Sequence, residues 1–230
     1  MRTKEMGHGL AGGGAAAFTL LELLTVVSII GILASVAMPG LSNATQAAKA
    51  NAAMQQARQI GIGLRGFAND NGGMFPDEQN SFGEAVDSAN AAFRDLYDYV
   101  ESERAFTVKG SNWGPEADEQ MNDASDYLRP GENHFAYIAG LDTASKSDWP
   151  LVVDGTDGSG TYTTERKMKG GLWKGKRGVV IRIDGSGSVE KLGRSKSGGK
   201  RFLKRIGEPT ENALELSYMG EGVRLLDPEG

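Results

Sequence analysis

The sequence predicts an α+β chain: one long N-terminal helix, apolar in its first half and amphipathic in its second, laid on a small antiparallel sheet. Three observations predict it. Residues 18–38 form a 21-residue run, FTLLELLTVVSIIGILASVAM, interrupted by one charge, Glu22. Beyond it Ala50, Ala53, Ala57, Ile60, Leu64 and Phe67 step by three and four, the spacing of one helix face. Far downstream, residues 179–183 and 188–192 flank Asp184-Gly185-Ser186-Gly187, which reads as a β-hairpin with a glycine-bearing loop.

The first run would reach about 31 Å as a helix, enough to cross a hydrocarbon core of roughly 30 Å. A carboxylate inside such a segment costs on the order of 2.5–3.5 kcal/mol, so Glu22 needs a partner. Cutting the chain between Ala17 and Phe18 would place a new α-amino group one helical turn from Glu22, in the same chain or a neighbour. A carboxylate paired with an ammonium in low dielectric costs far less than either alone. Pro39 removes an N–H and clashes with the turn before it, and with Gly31 and Gly40 it marks a place where the helix can bend. Residues 41–70 are rich in Ala and Gln and carry the helix onward. Asn69-Asp70-Asn71-Gly72-Gly73 and Pro76 end it.

The small-residue leader, Phe18-Thr19-Leu20-Leu21-Glu22, the apolar run, Gly31 and Pro39 together resemble the N-terminus of type IV pilins and type II secretion pseudopilins. The segment from Gly63 to Pro76, with its aromatic, its Asp-Asn pair and its Phe-Pro, resembles the helix exit of the major pseudopilin. The resemblance implies a pilin fold in four parts. Residues 1–17 are a leader, 18–38 a membrane and filament-core helix, 39–70 its amphipathic continuation, and 71–230 a soluble α+β head. It further implies cleavage between Ala17 and Phe18 by a prepilin peptidase, N-methylation of Phe18, and a filament of like subunits in which Glu22 guides assembly. The implied location is the bacterial inner membrane, single-pass, with the head in the periplasm and an assembly platform as partner. One departure stands at the cut, where the family usually has Gly and this chain has Ala17. Two other readings compete: a secretory signal cut after Ser35-Val36-Ala37, and an uncleaved anchor carrying a monomeric binding module.

Composition narrows the rest. A chain of 230 residues with 39% hydrophobic content can bury one real core. It contains no cysteine, so the disulfide-bounded loop of many pilins is missing, and 33 glycines point to a turn-rich head. Net charge is −5, unevenly spread: residues 69–160 hold 19 acids against 5 bases, and residues 164–205 hold 14 bases against 3 acids. Such asymmetry can join identical subunits or be neutralised within one.

Residues 93–100 place Phe93, Leu96, Tyr97 and Val100 on one helical face, and a weaker helix is expected over 116–128. Residues 135–138 and 151–153 read as short strands, and the tail from Gly207 as irregular or an edge strand. Asp154 and Asp157, in Asp154-Gly155-Thr156-Asp157-Gly158-Ser159-Gly160, could begin a calcium site, although no Glu closes the twelve-residue loop pattern; a plain turn is the alternative. Residues 193–201 nearly imitate a phosphate loop, with Arg201 where a magnesium-binding hydroxyl belongs. The bases Arg194, Lys196, Lys200, Arg201, Lys204 and Arg205 could meet an acidic polymer, with a subunit contact at least as good a reading and nucleic acid a poor one. Outside the leader there is one histidine, His134, and no paired-carboxylate spacing or Gly-x-Ser-x-Gly turn is present, so the chain reads as non-enzymatic.

Overall fold

The computed structural model describes residues 19–111, 113–114, 117–120, 127–195 and 200–229. The leader, Ala17 and Phe18 lie outside them, as does most of the helix expected over 116–128. The chain divides into two compact units, Met1–Thr45 and Gln46–Gly230. Helix α1 (Leu20–Asp70) contributes to both and is unbroken through Gly31, Pro39 and Gly40.

In the first unit α1 buries almost nothing. Leu20, Leu24, Ile29, Leu33 and Met38 are all more than half exposed.

In the second unit the helix turns amphipathic. Ala50, Ala53, Ala57, Ile60, Leu64 and Ala68 are fully buried, and Phe67 packs half-buried beside them. Small residues let the neighbours come close. A Cβ on Gly61 would stand 2.9 Å from Ile181 Cγ2, and one on Gly63 2.6 Å from Val100 Cγ2. The helix ends as its sequence predicts. Asn71 N donates to Phe67 O at 3.0 Å and Gly73 N to Ala68 O at 2.7 Å, with Gly72 at φ +64° and Gly73 at φ +91°. Those are left-handed values that glycine adopts without steric cost.

The sheet runs β4-β3-β2-β1-β9, every neighbouring pair antiparallel. Its strands are β1 (Phe135–Ala139), β2 (Pro150–Asp154), β3 (Arg177–Arg182), β4 (Gly187–Lys191) and β9 (Arg224–Leu226). The β3–β4 hairpin has the expected loop: Gly185, at φ +79°, donates to Arg182 O at 2.8 Å, and Ser186 N to Asp184 Oδ1 at 2.8 Å. Two small ribbons pair β5 (Gly193–Arg194) with β6 (Arg201–Phe202) and β7 (Lys204–Arg205) with β8 (Glu208–Asn212). Of the two readings of the tail the edge strand holds, since it supplies β8 and the sheet edge β9.

The connecting region is less helical than its pattern predicts. Helix α2 (Ala89–Arg94) has only six residues, capped by Ser88, whose hydroxyl accepts from Ala91 N at 3.1 Å. Beyond Asp95 the chain proceeds in turns, yet Phe93, Leu96 and Val100 are buried as a helical face would bury them. Where 116–128 can be described, at 117–120 and 127–128, it is not helical, and Glu119 and Leu128 have positive φ.

Candidate functional site

The first unit offers the candidate: an apolar helical surface with one acid at its start. Its N-terminal part is long and apolar enough to cross a membrane, and no residue of that window is buried within the chain. Glu22 stands in the first turn. Its Oε2 accepts from Thr19 N at 2.8 Å and from Thr19 Oγ1 at 2.9 Å, while Glu22 N donates back to Thr19 Oγ1 at 3.2 Å. Thr19-x-x-Glu22 is thus a capping box, in which side chains at the two ends of a first turn satisfy each other's amides. The Thr19-x-x-Glu22 spacing is itself the sequence signal for this cap. The hydroxyls along the rod do not break its apolar character. Thr25, Ser28 and Ser35 each donate to a carbonyl three or four residues back, so none presents an unsatisfied donor.

The head holds the other singled-out residues. Asp154 and Asp157 do not share partners. Asp154 ends β2, fully buried; its Oδ2 accepts from Trp173 Nε1 at 2.9 Å and from Val179 N at 2.6 Å, and its Oδ1 has no partner among the described residues. Burial raises its pKa to about 7 against these two hydrogen bonds. Asp157 faces outward into its own turn, accepting from Ser159 N, Ser159 Oγ and Thr161 Oγ1, with Lys200 Nζ 3.0 Å away. These donors outweigh partial burial and hold its carboxyl far below the usual range. Among the described residues the acids that do converge lie elsewhere, at Glu103, Asp118 and Glu132.

His134 precedes β1, buried, with Nδ1 accepting from Val108 N at 2.9 Å and its ring edge-on to Trp113 at 4.7 Å. Desolvation drops its pKa to about 4, which keeps it neutral near pH 7.

Of the basic run, Lys196 lies outside the described residues. Lys200 pairs with Asp157, and Arg205 pairs with Glu211 while lying 4.4 Å over the Tyr218 ring. Part of the cationic charge is therefore neutralised inside the head. Residues 193–194 and 201–202 form paired strands where a phosphate loop needs a helix to follow.

No family model, curated protein or solved structure matches the chain.

Proposed function

We propose that this chain is a structural, non-enzymatic subunit of a filament of the type II secretion pseudopilus or type IV pilus kind. The observation that carries the reading is the bare rod of α1: a surface of Leu, Ile and Val with no partner among the described residues, in a helix whose later residues pack under a sheet. Such a surface needs either lipid or copies of itself. In this reading the bilayer covers it first. A prepilin peptidase then cuts between Ala17 and Phe18, the new terminus is methylated, and an inner-membrane platform passes the subunit into a filament where neighbouring rods replace lipid. Glu22 meets the amine of Phe18 on an adjacent subunit and fixes the axial register. The head stays outside and supplies lateral contacts.

A second reading has one observation in its favour. The capping box gives Glu22 a local task, as an uncleaved anchor for a monomeric binding module would require. N-terminal sequencing of the protein purified from its native membrane, with mass spectrometry for one methyl group, separates the two. A terminus at methylated Phe18 is expected; a terminus at Met1 or Met38 would remove the filament reading.

A further inference from the structure

Three carboxylates from separate segments converge beside the buried core of the head. Glu103 opens the single 3₁₀ turn of residues 103–105, Asp118 lies in the connecting loop, and Glu132 stands in the turn before β1. Each contributes an oxygen, and those oxygens all lie within 4.8 Å of one another. Glu103 is fully buried and Glu132 is 4% exposed, while Asp118 closes the group from the solvent side.

The hydrogen bonds show what is satisfied. Glu132 Oε2 accepts from Arg129 N at 2.7 Å and Asp118 Oδ1 from Gln120 N at 2.8 Å. Glu103 Oε1 accepts from Leu128 N at 3.0 Å. Glu103 Oε2 is buried and has no partner among the described residues. One cation faces the group: Arg129 Nη1 is 3.0 Å from Asp118 Oδ2, at the exposed member. Arg104, next in sequence, is turned to Glu119 at 3.1 Å. Among the described residues three acids thus face one guanidinium, and a buried carboxylate oxygen without a partner is costly for a fold to hold.

We infer that Glu103, Asp118 and Glu132 form a binding site for a hard divalent cation. Every donor is an oxygen, the ligand type such an ion takes. Calcium accepts oxygen ligands at about 2.3–2.6 Å in a flexible geometry, so oxygens within 4.8 Å of one another can close on one ion with small shifts, which makes calcium the probe of choice. The bound ion would tie the 3₁₀ turn and the connecting loop to the entry of β1. This site is separate from the Asp154–Gly160 turn, where Lys200 already faces Asp157.

The test uses the full chain in detergent, stripped with chelator, and calcium chloride as the only ligand. Equilibrium dialysis should give one ion per chain lost on Asp118→Asn and on Glu103→Gln, each with affinity reduced roughly 10-fold or more. The thermal midpoint of the unaltered chain should rise with calcium concentration, and the rise should vanish in both variants. Asp118→Asn keeps the buried pair intact, and its unfolding midpoint in chelator reports whether it folds. Asp157→Asn should bind as the unaltered chain does. A folded chain that takes up no calcium at millimolar concentration overturns the inference. So does calcium that is retained by Glu103→Gln and Asp118→Asn, or lost on Asp157→Asn alone.

Discussion

The indole of Trp173 donates its Nε1 hydrogen to Asp154 Oδ2 across 2.9 Å inside the head. The acid closes β2, pairs in register with Phe135, and stands one residue before Gly155, whose amide donates to His134 O at 2.8 Å. Two buried titratable groups thus sit on neighbouring strand ends, displaced in opposite senses. Asp154 is raised from its ordinary 3.8 to about 7 and His134 lowered from 6.5 to about 4, both through desolvation.

Their effects on stability oppose. Between pH 3.8 and about 7 the folded chain keeps a proton on Asp154 that the unfolded chain has lost, so stability falls as pH rises. Between about 4 and 6.5 the unfolded chain protonates His134 and the folded chain does not, so stability falls as pH drops. Each slope is about 1.4 kcal/mol per pH unit, so in the shared window they cancel. Asp154→Asn should therefore expose the His134 slope, with urea midpoints that decline toward acid. His134→Gln should expose the opposite slope, declining toward pH 7. Parallel profiles for both variants and the unaltered chain would contradict this pairing.

The register of α1 on its neighbours gives a packing prediction. Gly61 has Ile181 where its Cβ would be, 2.9 Å from Cγ2. Gly61→Val should lower head stability by about 1–3 kcal/mol, and Leu64→Ala, which removes buried methyls, by about 2–5 kcal/mol. Chemical denaturation followed by tryptophan fluorescence reads both. Ile62→Ala, at an exposed position of the same helix, should change little.

Much of this was legible because periodicity reports burial directly. The stripe from Ala50 to Leu64, the glycine exit and the β3–β4 hairpin each follow from local rules, and each is where those rules place it. The connecting region departs from its helical pattern because propensity was overridden. Ser88 starts α2, and the buried rings of Tyr137, Phe93, Phe106 and Tyr127, 5.4–5.7 Å apart from one to the next in that order, fix the chain by tertiary packing instead. The tail reads as irregular or as an edge strand; Arg224-Leu225-Leu226 is too short for alternation to decide, and it forms the sheet edge β9. Asp154 and Asp157 look equivalent in sequence. A strand end turns one into the core and a turn holds the other at the surface, a distinction that three residues of spacing do not encode.

Glu22 holds the capping box and, in the proposed filament, would also supply a charge, and one substitution separates the two. Glutamine at the third position of a capping box accepts from the same amide, so Glu22→Gln keeps the helix start while removing the charge. Glu22→Val removes both. If the carboxylate serves assembly, both variants should insert into the membrane normally and both should fail to appear in sheared or crosslinked filaments. A Glu22→Gln chain that assembles at the normal yield would assign Glu22 to the cap alone. The difference is read by immunoblotting the membrane and filament fractions side by side.

The C-terminal strand gives the last prediction, because a short segment fastens several others. After β9 pairs with β1, Asp227 accepts from Thr156 N and Thr156 Oγ1, both at 2.7 Å, and its carbonyl accepts from Ala89 N at 3.1 Å. Lys169 Nζ reaches Pro228 O at 2.6 Å, and Glu229 O takes the Gly131 amide at 3.0 Å. Arg224 Nη2 pairs with Asp77 at 2.6 Å, just past the end of α1. Besides β1, five remote parts of the head therefore converge on six residues. Losing the Asp227 carboxylate leaves the buried Thr156 hydroxyl and amide unmatched, a penalty of about 1–3 kcal/mol for each group left without a partner. Asp227→Ala should lower head stability by that order while leaving the protein folded. A chain ending at residue 223 also loses β9, exposing the edge of β1 and the otherwise buried Leu226 site. It should be degraded or recovered only in aggregates. Limited proteolysis of the two variants beside the unaltered chain measures the ranking, and equal protease resistance in all three would refute it.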